Sequence, residues 1–324
     1  MRFLSSLILA AAALTLHAAA PAQTAATAAF PSQPLRLVVP VPAGGPSDFI
    51  ARQVAQHLGT ALGQPVVVEN KPGANGLLAA RDGAAAPADG HTLVYAPGSM
   101  IATPLLSKGV SFDWARDLAP LGKVGRVPFA LAVHPGVPAQ TVAELVRHAR
   151  QNPGALNVAT STPSEVMAAA RFMKATATTL TRVPYKGGAQ ALPDLLAGRV
   201  HVMFGPLSLL QPQAKAGAVR LLATLTPERN AAVPDLPTAA EAGVPALDVP
   251  TWQGIFTAAQ VPAATRARLA AGLAAALARP EIKAEFERRL LVAEVPSEAD
   301  LSATVGRELA SWAALIAEYQ LSAD

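Results

Sequence analysis

Four short segments bring together residue types suited to holding a small anion: PAGGPSD at 42–48, APGS at 96–99, ATSTPS at 159–164 and YKGGAQ at 185–190. Glycine lets a ligand come close to the backbone, and serine and threonine add hydroxyl donors. Each segment follows a strand-like run and opens a helical one. There, unpaired N–H groups and the positive end of the helix dipole favour negative charge. The candidate donors are Ala43, Gly44, Gly45, Ser47, Gly98, Ser99, Ser161, Thr162, Ser164, Lys186, Gly187 and Gly188. Gly205, at the end of HVMFGP, joins them, and Asp48 is the one acid. Asp48 is expected to cap its own helix or hold a water, leaving the anion to the amides. Taken singly, PAGGPSD reads equally well as a turn with Ser47 or Asp48 as helix cap, and Lys186 as a solvated loop lysine. The repetition of the theme carries the binding reading.

Chemistry of other kinds finds no support. The chain has no G-x-S-x-G elbow, no G-x-x-x-x-G-K-[ST], no H-E-x-x-H and no EF-hand loop. It has no cysteine, which removes disulfides, thiolate catalysis and Cys metal sites together. His57, His91, His134, His148 and His201 are scattered without ligand spacing. No metal, no cofactor and no catalytic residue is expected. A sugar site would usually want stacking aromatics, and a cation site several carboxylates.

The elements that must position these segments alternate strand and helix. LRLVVPV (35–41), PVVVEN (65–70) and HTLVYA (91–96) are strand-like apolar runs, and FALAVHP (129–135), ALNVATSTP (155–163), TRVPYKGG (181–188), RVHVMFGP (199–206) and VRLLATL (219–225) are strands that run into Gly, Pro, Ser or Thr. After the first of them, Ile50, Val54, Leu58 and Leu62 recur every four residues as one helix face, with Arg52, Gln53, Gln56 and His57 on the others. Such alternation predicts parallel α/β sheets, which bind ligands outside the carboxyl ends of their strands. The last third turns helical, with Pro280 opening the second of two helices in residues 263–290. Trp252, in TWQGIF, reads as core or interdomain packing.

The chain has 324 residues, 51% of them apolar and 15% charged, the balance of a soluble globular protein with room for two domains. Its net charge of +4 is spread out, so nucleic acid is not an expected partner. Arg2 followed by FLSSLILAAAALTL is too short to span a bilayer, which takes roughly 20 residues. With the small residues after it, this start reads as a signal peptide over residues 1–22, cleaved after Ala22, for an exported protein.

Six segments in order carry a family resemblance: PLRLVVPVPAGGPSDFIAR, LGQPVVVENKPGANG, PADGHTLVYAP, VHPGVPAQTVAELV, VPYKGGAQALPDLLAGRVHVMF and LPTAAEAG. The chain resembles, over residues 34–321, the solute receptors of tripartite tricarboxylate transporters, the Bug-type periplasmic binding proteins. The resemblance implies an α/β, two-domain periplasmic-binding-protein fold (type II-like) with the ligand cleft between the domains. Residues 30–125 plus 227–324 would form domain 1 and 126–226 domain 2. It implies a monomer in the periplasm that captures a small organic carboxylate and delivers it to integral-membrane transporter subunits. A sensor serving a signalling partner, or an enzyme on the same scaffold, are the alternatives. Two stretches depart from the family's usual pattern: STPSEV (161–166), where Pro163 offers no N–H, and Gly205-Pro206, where Asp-Asn is common. Both fall at the expected cleft, so ligand identity is not carried over.

Overall fold

The computed structural model describes residues 30–319 apart from 108, 248 and 250; the expected signal peptide lies outside them. The apolar runs become strands β1 (Leu35–Val39), β2 (Val66–Asn70), β3 (Thr92–Pro97), β4 (Leu118–Arg126), β5 (Phe129–Val133), β6 (Asn157–Thr160), β7 (Thr181–Pro184), β8 (Val202–Pro206), β9 (Arg220–Thr224), β10 (Trp252–Ala258) and β11 (Val292–Ala293). The helices between them are α1 (Pro46–Leu62), α2 (Leu77–Ala84), α3 (Thr103–Leu106), α4 (Trp114–Asp117), α5 (Val142–Gln151), α6 (Pro163–Thr176), α7 (Gly188–Leu196) and α8 (Leu207–Lys215). Helices α9 (Ala263–Leu277), α10 (Pro280–Arg288) and α11 (Glu298–Tyr319) are the last among the described residues, and Pro280 sits at the first position of α10, as expected.

Two sheets result, with orders β11-β4-β10-β3-β1-β2 and β7-β6-β8-β5-β9. They are mixed, which corrects the expectation of parallel sheets. β10 runs antiparallel to both β3 and β4, and β5 antiparallel to both β8 and β9. The reason is topological. β4 ends where the chain leaves the first sheet, so β5 starts at the same edge and must run away from it. β10 does the same on the return. Both crossings lie side by side: Val127 N–H donates to the Thr251 carbonyl at 3.0 Å, and Arg126 pairs with Trp252.

Beyond Thr224 the chain stays with the second sheet before returning. Thr224 N–H donates to Pro237 O and Ala239 N–H to Thr224 O, both at 2.8 Å. Leu247 and Val249 are buried on the way back.

The face of α1 that carries Ile50, Val54, Leu58 and Leu62 is buried. Each such side chain contributes about 1.5–3 kcal/mol on leaving water. α9 packs across α1, where Leu62 lies against Gly272; a Cβ on that glycine would come 2.6 Å from Leu62 Cδ2. α11 packs on β4 and brings Leu301, Val305 and Trp312 into one cluster with Trp114, Trp252 and Phe256. The C-terminal helices thus belong to the first sheet.

Candidate functional site

The loop between β1 and α1 holds its shape through Asp48. Gly44 has φ of +96°, a left-handed conformation that favours glycine. Its N–H donates to Asp48 Oδ2 at 2.9 Å, and Arg52 Nε donates to the same oxygen at 3.0 Å. Asn70 Nδ2 donates to Oδ1 at 2.8 Å. Burial works to raise the Asp48 carboxyl, but the hydrogen bonds from Arg52, Gly44 and Asn70 outweigh it and hold it below the usual carboxylate value. The acid was expected to cap its helix or hold a water; it braces the glycine loop instead, and takes the Gly44 amide to do so.

Gly45 is different. Its backbone is extended (φ −83°, ψ 171°), which any residue adopts, and a Cβ there would meet nothing within 4 Å. Neither backbone nor packing requires a glycine at this position. It stands as the N-cap of the 17-residue α1, facing open space, with Ala43 exposed beside it.

Ser47 links this loop to the next. Its Oγ donates to Gln253 Oε1 at 3.2 Å, and the fully buried Tyr95 OH donates to the same oxygen at 2.7 Å. Gln253 Nε2 donates to the Thr251 carbonyl at 3.0 Å, the group that also accepts Val127 N–H. Gln253 pairs with Pro97, so Gly98 and Ser99 follow at once. Gly98 is required by packing: a Cβ would stand 2.6 Å from Trp252 Cε2. Trp252 is thus buried packing, in agreement with the core or interdomain role read from the sequence. Ser99 is buried, and its segment opens a 3-10 turn over Gly98–Ala102, which lacks the dipole of a full helix.

In the second sheet the segment after β6 opens the 14-residue α6 through a capping box between Thr162 and Glu165. Glu165 Oε2 accepts from Ser161 Oγ at 2.6 Å, from Thr162 N–H at 3.2 Å and from Ser161 N–H. Glu165 is 2% exposed, and burial pushes its carboxyl up to about 7 against the hydrogen bonds from Ser161 and Thr162. Ser164 is buried in the first turn of the helix. Pro163 takes the first helical position, where its missing N–H leaves no helix bond unmade.

Gly187 repeats the pattern of Gly45. It is the N-cap of α7 in extended backbone, and a Cβ there would meet nothing within 4 Å. A Cβ on Gly188 would lie 3.9 Å from Glu165 Oε1, 3.3 Å from Met203 Cε and 3.2 Å from Leu209 Cδ2. Gly205 lies inside β8, buried opposite Ala130, and a Cβ on it would stand 3.0 Å from the same Met203 methyl. Lys186 is exposed and takes no part in these contacts.

The four segments meet through this chain of contacts. Gln253 ties 42–48 to 96–99, and Glu165 places 159–164 beside Gly188. Between the sheets, α6 packs against the Gly98–Ala102 turn, and Met167 shares one apolar cluster with Ala96, Met100 and Trp252. Tyr95, Gln253 and Glu165 were not singled out from sequence. The T-x-x-E spacing of Thr162 and Glu165 is a capping-box signature that would have pointed to Glu165. Gln253 and Tyr95 meet across 158 positions, which no local pattern encodes.

Residues 50–321 match the family model described as "Tripartite tricarboxylate transporter family receptor". The chain belongs to that family. Among curated relatives of this receptor, a UPF0065 protein of Bordetella bronchiseptica is 38% identical over 266 residues, covering 80% of this chain and 76% of the relative. BugT of Bordetella pertussis is 32% identical over 233 residues, covering 70% and 71%. Among solved structures, Rpa4515 of R. palustris with adipate superposes with a TM-score of 0.83 at 31% identity, over 90% of this chain and 99% of that one. MatC of Rhodopseudomonas palustris with bound malate gives 0.80 at 28% identity, over 89% and 100%. The periplasmic binding protein BugD gives 0.81 at 28%, over 90% and 99%. The receptor therefore has the periplasmic-binding-protein fold that the resemblance implied. Among the described residues no helix is long and apolar enough to cross a membrane.

Proposed function

We propose that this receptor captures a small organic carboxylate between its two sheets and presents it to the membrane subunits of its transporter, with no chemistry of its own. The observation that carries the reading is the pair of glycines, Gly45 and Gly187, that neither backbone nor packing requires. Each caps the start of a helix, in segments that the contacts through Gln253, Met167 and Glu165 gather between the sheets. A glycine that faces open space at a helix start leaves room for an anion to reach the backbone N–H groups. Malate and adipate in two similar receptors support the ligand class.

The residues assigned to the ligand are Gly45, Ser47, Ser99, Ser164, Gly187 and Gly188, with Ala43, Gly98, Lys186 and Gly205 around them. Gly44, Ser161 and Thr162 hold the loops in shape through Asp48 and Glu165. The two sheets act as two domains that close about the paired crossings at Val127 and Thr251. The protein works as a monomer in the periplasm after cleavage of its signal peptide.

A thermal-shift screen over monocarboxylates, dicarboxylates, tricarboxylates, aromatic acids, amino acids, sugars and polyamines tests the reading. Stabilisation by one or more acids is expected. Stabilisation by a sugar or polyamine, with none by any acid, would overturn it.

A further inference from the structure

The second-sheet side of the cleft already contains a carboxylate. Ser161 N–H, Ser161 Oγ and Thr162 N–H all donate to Glu165 Oε2, and the next residue, Pro163, has no N–H. These donors resemble an anion nest, and the protein fills it from within. Glu165 Oε1 lies beneath Gly188, 3.9 Å from where its Cβ would stand and beside the Met203 methyl and Leu209, while the adjoining Gly187 faces open space. A ligand group reaching this turn meets a buried acid and apolar carbons, and finds the Ser161 and Thr162 amides taken. On the first-sheet side, Gly45 and Ser47 remain, next to a loop braced by Asp48 and Arg52.

We propose that Glu165 is a specificity-determining residue, and that it makes this receptor prefer monocarboxylates with a neutral far end over dicarboxylates of the same length. The inference rests on the carboxylate reading given above. The similar receptors solved with malate and adipate hold dicarboxylates, so the preference proposed here is the opposite one. Two like charges close together in a site shielded from water disfavour each other, and the second carboxylate of a diacid would also lose hydration without gaining a donor. A hydroxyl, an amide or a methyl end avoids both penalties, and a hydroxyl or amide can donate to Glu165 Oε1.

Calorimetry at pH 8.5, above the Glu165 carboxyl's value of about 7, tests this with two length-matched sets: adipate against hexanoate and 6-hydroxyhexanoate, and succinate against butyrate and 4-hydroxybutyrate. In the wild type the tighter monocarboxylate of the best-bound set is expected to bind at least tenfold more tightly than its diacid. Glu165→Gln keeps the shape and the capping geometry, and is expected to narrow that ratio at least fivefold by improving diacid binding. A wild type that prefers diacids, or a folded Glu165→Gln with an unchanged ratio, would overturn the assignment. If the variant does not fold, the wild-type ratio still decides. Binding of diacids and monoacids alike with no preference counts against Glu165 alone, whereas no binding by any acid removes the carboxylate reading beneath it.

Discussion

Ser47 Oγ and Tyr95 OH converge on one oxygen, Oε1 of Gln253, at 3.2 and 2.7 Å. The same amide donates to the Thr251 carbonyl, which receives Val127 N–H from the neighbouring crossing. A residue at the start of α1 is thereby joined by two hydrogen bonds to the place where the chain passes between the sheets. Gln253→Leu removes the bridge and leaves the Tyr95 hydroxyl, fully buried, without its acceptor. The expected loss of stability is about 1–3 kcal/mol, the desolvation penalty of an unpaired buried group. Urea unfolding measures it; a variant as stable as the wild type would mean that the bridge carries nothing.

The two kinds of glycine in the candidate site separate cleanly by substitution. At Gly45 the extended backbone accepts a side chain and the space beyond is open. Gly45→Val should therefore leave the melting temperature unchanged and weaken carboxylate binding more than about tenfold, or 1.4 kcal/mol. At Gly98 a Cβ would collide with the Trp252 indole. Gly98→Ala should instead destabilise the fold by about 1–3 kcal/mol through overpacking. Calorimetry and denaturation on both variants check the contrast, and unchanged affinity in folded Gly45→Val would remove this loop from the site.

Much of this arrangement was legible in the sequence, and the illegible part has physical causes. Each candidate segment is legible because an apolar run gives way to Gly, Pro, Ser or Thr, and a helix pattern follows. β10 was recognised only as packing around Trp252, because its seven residues are all buried and show no alternation. Its antiparallel direction depends on which edge the chain re-enters, and periodicity does not encode that. Some of the candidate donors also have acceptors inside the protein. Glycine and serine look alike to a sequence reader whether an external anion or an internal carboxylate takes their protons. Only the structure gives Gly44 to Asp48 and Ser161 to Glu165.

These two acids respond oppositely to pH. The Glu165 carboxyl lies at about 7, above its ordinary 4.5. Its contribution to stability is full below 4.5 and is lost as pH rises through 7. Asp48 is held below its ordinary 3.8, so its contribution is present above that value and is lost as pH falls through its folded pKa. Urea unfolding from pH 4.5 to 8 should show a decline that flattens in Glu165→Gln. The same decline in wild type and variant would assign it to other groups.

The side-by-side crossings at Val127–Thr251 and Arg126–Trp252 form a short two-stranded connection. Domain closure about such a connection would concentrate backbone rotation in a few residues. Small-angle scattering should show a more compact particle at saturating ligand than without it. Superimposable curves would mean a rigid, preformed cleft.

The central claim is that an organic carboxylate is the captured solute. Native mass spectrometry of freshly purified protein weighs any co-purified ligand, and calorimetry with the compound of that mass follows directly. One small organic acid per chain is expected, bound again on titration and bound more than about tenfold more weakly by Gly45→Val. A co-purified sugar, polyamine or metal that rebinds, with no response to any acid, would contradict it.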